Sequence, residues 1–391
     1  MAHPRRWTAV LCALVGATAV IAGCSSPASA PEPSITPPPP QPVVANDLTD
    51  EEISAIVSEQ CGPVFAARGG DPVAEVRALD QFRADAVVFL ASSAQCDDIP
   101  TVLDGESGDP AVPFVSPVQV LDPPCPGDTL VSFWAHYDDD LIFGNPELDR
   151  ALQAGDCVRT FFFTYSDAGE GESTYASERE AGIRAAYDVM RGSSGPWTDR
   201  TIQLASGAVL TMSRPVDDDR ITLFFLRLPD GGLAGATFEY TGEQTLTKLN
   251  SGELLSLRTL DTGRSVSRAT LEKTVRELIE GYDAATVLTH QPTPSDSGTP
   301  DHPDHRAVGE IVSAAVAQDL ADRVRYALGY PSDAQPVNVG DAELARKLAA
   351  FSAYASHDPV LKCSDPTSCL RRVHFGDWLQ RQYLTPAVPT P

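Results

Sequence analysis

Two apolar runs set the limits on what this chain can fold into. Residues 130–135 and 158–164, the second containing Phe161-Phe162-Phe163, are short, continuous and rich in aromatic and β-branched side chains. That is the pattern of strands buried on both faces, not of strands with one wet side. Such strands need helices above and below, and helical periodicity follows at residues 178–190, 270–282, 304–320 and 341–354. Between these lie further apolar runs at 284–289 and 324–329. The alternation predicts an α/β fold with a mostly parallel sheet flanked by helices. Residues 201–261, with turns at 217–219 and 229–232, read as a β-rich insertion.

Of the 391 residues, 42% are hydrophobic, enough for one large core or a large core with a small one. The 54 acidic against 29 basic residues leave a net charge of -25. This charge repels a phosphate backbone, so nucleic acid is not an expected partner. The chain opens like an export signal. Arg5 and Arg6 precede an apolar run over residues 7–22, shorter than the roughly 20 residues a membrane span needs. It ends in Ile21-Ala22-Gly23-Cys24, which resembles a lipobox. That resemblance predicts that residues 1–23 are a lipoprotein signal peptide and Cys24 the lipidated first residue of a protein anchored to a membrane on its extracytoplasmic side. The alternative is an ordinary secretory peptide cleaved near a cysteine; either way the protein is expected to be exported.

Residues 24–46 are rich in Pro, Ser and Ala and predict an extended tether. Residues 47–120 predict a small helical subdomain and a Pro/Gly/Asp-rich linker. Asp47 or Thr49 is its candidate cap, and Ile53, Ile56, Val57, Val73, Val76, Leu79 and Phe82 recur at helical spacing. Residues 121–385 hold the α/β domain. Setting aside Cys12 in the signal and Cys24, an even set remains: Cys61, Cys96, Cys125, Cys157, Cys363 and Cys369. Outside the cell this predicts disulfides. Cys125 and Cys157 each precede a predicted core strand, and sequential pairing is expected.

In open parallel sheets, ligands bind beyond the carboxyl ends of the strands, and two polar clusters fall at such places. Ala135-His136-Tyr137-Asp138-Asp139-Asp140 follows the first strand, and Asp301-His302-Pro303-Asp304-His305 follows a later one where a helix begins. Zinc takes imidazole nitrogen and carboxylate oxygen, with three protein ligands and one open position in a catalytic site. His136, Asp139 and His305 would supply that set. Asp138 would face the same cavity as a proton acceptor, and His302 would reach the other side of a bound carbonyl. Taken singly, the aspartate run also reads as a solvated loop and Pro303-Asp304 as a helix start. Trp197 is a candidate for sugar stacking or simple packing, Gly169-Glu170-Gly171 is a weak glycine signal, and His290 lies outside both clusters. No Gly-x-Ser-x-Gly elbow supports a serine hydrolase.

Residues 135–140 and 302–305 resemble the hallmarks Ala-His-Pro-Asp-Asp-Glu and His-Pro-Asp-His of the PIG-L or LmbE-like zinc-dependent deacetylases, which remove acetyl groups from N-acetylglucosaminyl substrates. Tyr137 stands for the proline and Asp140 for the glutamate. Residues 141–146, 164–169 and 226–231 look like an exported branch of that family, and the likeness covers about residues 126–330. It implies a Rossmann-like, LmbE-type sheet. It also implies Zn2+ or another divalent metal on His136, Asp139 and His305, with Asp138 as general base. A protonated His302 would stabilise the oxyanion and be oriented by Asp304, and Arg179 would bind substrate.

The expected activity is removal of acetyl from an N-acetylated amino sugar of an envelope glycoconjugate or extracellular polysaccharide. The same metal site would also serve hydrolysis of another amide. A non-catalytic metal- or carbohydrate-binding lipoprotein is the alternative of another kind, and Asp138 argues against it. A calcium-binding adhesion domain would explain the charge but not the three histidines. Oligomeric state and the sugar itself are not encoded legibly.

Overall fold

The computed structural model describes residues 48–79, six single positions between 84 and 99, and residues 125–294, 299–316 and 319–386. The expected signal, Cys24, the tether and residues 101–124 lie outside the described residues.

Helix α1 (Asp50–Arg68) starts behind Thr49, whose hydroxyl accepts from Glu52 N while the Glu52 carboxylate accepts from Thr49 N. This reciprocal pair satisfies two otherwise free amides. Gly69 closes the helix in left-handed backbone, and Asp71 caps α2 (Pro72–Ala78). Ile53, Val57, Phe65 and Val76 bury together with Val87, Val88 and Ile99 in a small core of their own. So small a core holds little free energy, and the Cys61–Cys96 disulfide supplements it.

The larger body runs β1 (Thr129–Trp134), α3 (Glu147–Ala154), β2 (Cys157–Thr164), α4 (Thr174–Arg191), β3 (Trp197–Gln203), β4 (Val209–Pro215) and β5 (Ile221–Leu228). It continues through α5 (Leu246–Ser251), β6 (Ser256–Arg258), β7 (Ser265–Ser267), α6 (Arg268–Gly281), β8 (Thr286–His290), α7 (Pro303–Val316) and β9 (Val324–Ala327). It ends with α8 (Asp341–Ala355), α9 (Pro366–Leu370), α10 (Phe375–Leu379) and β10 (Leu384–Pro386).

One sheet has the order β10-β9-β8-β1-β2-β5-β4-β3, and β6–β7 form a separate ribbon. Strands β9, β8, β1, β2 and β5 are parallel, with antiparallel strands at both edges. The chain builds outward from β1 through β2 to β5, then returns to lay β8 on the other side of β1. The crevice beyond the carboxyl ends of β1 and β8 is therefore the topological switch point, where such sheets bind ligands.

The apolar runs read as strands because each side chain has a core to enter. Phe161 and Phe163 point into a cluster with Leu271, Val275, Val308 and Ile311 of α6 and α7. Phe162 points into the opposite cluster with Ile183, Tyr187, Phe351 and Tyr354 of α4 and α8. Each fully buried ring stabilises the fold by about 2–3 kcal/mol. Two further disulfides join Cys125 to Cys157 at the start of β2 and Cys363 to Cys369, so the described pairs are sequential.

Residues 201–261 are not an insertion throughout. Strand β5 pairs in parallel with β2, from Val158 opposite Ile221 to Phe162 opposite Phe225, and is a central strand. The sequence conceals this because the return from α4 runs through the antiparallel β3–β4 hairpin at the sheet edge, which interrupts the strand–helix alternation.

Candidate active site

Beyond β1 the chain turns sharply into a single π-helical turn, Asp140–Gly144. Asp139 fixes the turn by accepting from His136 N at 2.7 Å, and Tyr137 N donates to Ser166 Oγ at 2.8 Å. The two departures from the family hallmark anchor this turn from below. The Tyr137 hydroxyl donates to Glu180, and Asp140 accepts from Leu141 N and from the Tyr187 hydroxyl. Burial outweighs those bonds and pushes the Asp140 carboxyl well above the ordinary carboxylate range.

Helix α7 brings His302, Asp304 and His305 to the same crevice, and all three are buried with His136, Asp138 and Asp139. The Asp139 carboxylate lies between two rings, Oδ2 at 3.2 Å from His136 Nδ1 and Oδ1 at 3.0 Å from His305 Nε2. The ligand atoms of His136, His302 and His305 also lie mutually within 4.8 Å, as do those of Asp139, His290 and His305 and those of His136, Asp230 and Asp304.

His305 Nε2 is buried without a hydrogen-bond partner, while its Nδ1 bonds Asp301 at 2.8 Å. That arrangement fixes the ring with Nε2 as the free donor atom, as a metal-ligating histidine requires. Burial opposes a positive charge on His305, but Asp139 and Asp301 outweigh it and hold the ring up at about 9. Asp230 and Asp139 likewise outweigh burial at His136. Burial disfavours a charged Asp139, yet His305, His136 and His290 hold it well below the ordinary range. The carboxylate–imidazole set fits a divalent cation such as zinc.

Asp138 Oδ1 accepts from Arg179 Nη2 at 3.1 Å, and burial raises its pKa against that cation. It is thus a positioned base, not a carboxylate without partners. Arg179, expected from the resemblance to bind substrate, is tied instead to residues of the protein. It is buried, donates to Ser166 O at 2.7 Å and to the Tyr354 hydroxyl at 2.6 Å, and lies 3.2 Å from Asp358. These bonds fix the guanidinium, which in turn holds Asp138 in place.

His302 and Asp304 differ from the expectation in two ways. Burial, and after it neighbouring His136, lower the His302 pKa to about 4, which favours the neutral ring over the protonated one expected. Asp304 does orient it, but through its backbone amide, which donates to His302 Nδ1 at 3.1 Å. This leaves the ring proton on Nε2. The Asp304 carboxylate turns elsewhere, accepting from Gly231 N at 2.7 Å and lying 3.7 Å from His136. Only glycine allows that approach, because a Cβ on residue 231 would stand 2.8 Å from the carboxylate.

Four residues that the two motifs do not contain as expected ligands or bases complete the site. Asp301 sits four positions before His305, a helical spacing that signals a contact. Asp230, at the end of β5, bonds His136 Nε2 at 3.0 Å. Asp167 accepts from Asp230 N and from Gly171 N, and burial, with Asp230 beside it, raises its pKa to about 6. His290 stacks on His305 with ring centroids 4.0 Å apart and lies 3.1 Å from Asp139. Trp197, by contrast, donates to Asp188 and packs against the second core.

The fold and the site define a parallel α/β protein with a buried imidazole–carboxylate cluster at its switch point. Residues 131–316 match the model of the PIG-L family, described as GlcNAc-PI de-N-acetylase. The match spans both polar clusters and supports the family resemblance. A curated relative, the 1D-myo-inositol 2-acetamido-2-deoxy-alpha-D-glucopyranoside deacetylase of Gordonia bronchialis, is 27% identical over 202 residues, 51% of this chain and 60% of the relative. The chain thus spans less than two thirds of that relative's length.

Among solved structures, the chain is similar to the N,N'-diacetylchitobiose deacetylase of Pyrococcus horikoshii at 14% identity, covering 66% of this chain and 84% of that one with a TM-score of 0.37. It is also similar to a deacetylase of the teicoplanin biosynthesis pathway at 15% identity, covering 60% and 86% with a TM-score of 0.38.

Proposed function

We propose that this chain is a metal-dependent N-deacetylase acting on an N-acetylated amino sugar, exported and anchored to the extracytoplasmic side of a membrane through Cys24. The observation that carries the chemistry is the buried His305 Nε2, which makes no hydrogen bond and stands 3.0 Å from Asp139 Oδ1. The family match and the relative that deacetylates an acetamido-glucoside support the substrate class.

Zinc or a similar cation on His136, Asp139 and His305 would supply a water acidic enough to ionise near neutrality and a Lewis acid for the amide carbonyl. Asp138, held by Arg179, is the base placed to take a proton from the attacking water. The neutral His302 donates Nε2–H to the carbonyl oxygen, where charge develops. Asp138 then returns its proton to the nitrogen of the departing amine. Asp304 acts at a distance from the reacting atoms, setting the His302 tautomer through its amide.

The test is acetate release from N-acetylglucosaminyl oligomers and glycolipids by the protein and by Asp138→Asn. The proposal expects acetate from the parent and a loss of about 10²–10⁴-fold in kcat for the variant at unchanged metal content. Release of a longer acid instead would shift the reading to another amide. No acid from any of these substrates, in a metal-loaded protein, would favour the binding lipoprotein.

A further inference from the structure

Next to the metal-type cluster the glycine pair of Gly169-Glu170-Gly171 has a use that the chemistry above does not consume. Both glycines have positive φ, +82° and +68°, a conformation that side chains with a Cβ rarely adopt. Each also stands where an aromatic ring presses on the backbone. A Cβ on residue 169 would fall into the ring of Phe238, and one on residue 171 into the ring of Tyr240. The two glycines are seats for two aromatics.

The seats are fixed to the reacting centre. Gly171 N donates to Asp167 Oδ2, Asp230 N donates to Asp167 Oδ1, and Asp230 bonds His136. Ala168 N also donates to Asp230 Oδ2 at 3.2 Å. From Asp230 the chain passes Gly231, which bonds Asp304, and comes back over the glycine loop through Phe238 and the short turn Glu239–Thr241. Tyr240 is thus tied through Gly171 and Asp167 to Asp230, the partner of His136, and is yet 67% exposed, with Leu233 of the same segment 65% exposed. Exposed single aromatics are ordinary, but a ring whose seat needs two glycines in left-handed backbone is a built feature.

We propose that Tyr240 is the platform of a second subsite, stacking against a neutral pyranose ring joined to the acetamido sugar in the crevice. This deepens the deacetylase reading and rests on it. Backed by Gly171 on one side, the exposed tyrosine ring offers an apolar surface for stacking on the C–H face of a sugar. The charge around it selects the occupant. Glu170, Glu172 and Glu239 are exposed near the ring in sequence, and Glu243 faces Lys248 at 3.8 Å, so the surround stays net negative and a phosphorylated or otherwise anionic ring is repelled while a neutral one is not. The preferred substrate is then a neutral oligosaccharide or glycoside of at least two rings. Binding energy from the second ring adds to that from the acetamido sugar.

The experiment compares kcat/KM for acetate release from N-acetylglucosamine and from N,N'-diacetylchitobiose in the parent, Tyr240→Phe and Tyr240→Ala. It also measures binding of the disaccharide to each by calorimetry. The parent should prefer the disaccharide. Tyr240→Ala should lower that preference by about five- to tenfold, the size of one aromatic contact, with the monosaccharide rate unchanged, while Tyr240→Phe keeps it. Equal rates and equal binding for Tyr240→Ala and the parent would overturn the subsite. Acetate from neither sugar, with binding of the disaccharide still weakened by Tyr240→Ala, would remove the deacetylase reading and leave the subsite standing.

Discussion

His305 bonds Asp301 through one ring nitrogen and leaves the other bare beside Asp139, and this division of labour is the finest detail on which the proposed chemistry depends. Asp301 makes three bonds with a single oxygen, to His302 N, His305 Nδ1 and Tyr330 N. Asp301→Asn should therefore keep the fold but weaken metal affinity by about 10–100-fold, measured by competition with a chelator. Unchanged affinity would mean that His305 needs no orienting partner. At this scale the sequence shows types and spacing but not directions. Asp138, Asp139 and His136 are recognisable as chemistry-bearing residues. That the Asp304 amide, and not its carboxylate, bonds His302 could not be read, because it depends on how the turn into α7 aims each group.

The elements are legible wherever a buried run meets a clear boundary. Strands β1 and β2 and helices α4, α6 and α8 lie within a few residues of the ranges that the apolar pattern predicts, although that pattern does not pick out Ser173, which caps α4 by accepting from Ala176 N. Strand β5 is central yet was hidden, since no helix separates it from the hairpin before it.

Helix α8 carries a second feature that periodicity conceals, a buried Lys347 whose ammonium donates to Arg381 O at 2.9 Å. Burial lowers it from 10.5 to about 7. Unfolded, the amine keeps its proton up to its ordinary value; folded, it releases it about three units earlier. The unfolded chain thus binds more protons in that window, so stability rises with pH from about 7 to 10 and falls as pH drops through 7. Unfolding free energy against pH, compared with Lys347→Met, should show the parent gaining roughly 3 kcal/mol or more over the variant across this range. Parallel curves would contradict the buried-charge account.

On the scale of the whole molecule, the order along the chain expected from the sequence is a lipid anchor, a tether, a small disulfide-stapled helical unit and the α/β domain. Anchoring is testable in cells. Cys24→Ser should move the protein from the membrane fraction to the soluble one, and retention in the membrane would remove the lipobox reading. The strand order put the site where it is. Because the chain reverses direction of growth at β1, residues almost 170 positions apart, His136 and His305, meet with ring centroids 5.4 Å apart. Two short motifs at predicted strand ends were enough to foresee that meeting. Asp230 and Asp167 were not foreseen as members, because each follows a strand without a histidine to mark it.

The central claim is that this meeting place holds a metal that the chemistry needs. It is tested most directly by elemental analysis of the purified protein together with acetate release before and after chelation and metal return. The account predicts about one divalent metal per chain, little or none in His305→Ala at intact secondary structure, and activity that leaves with the metal and returns with it. A folded protein that binds no metal, or acetate release that survives complete removal of metal, would contradict it.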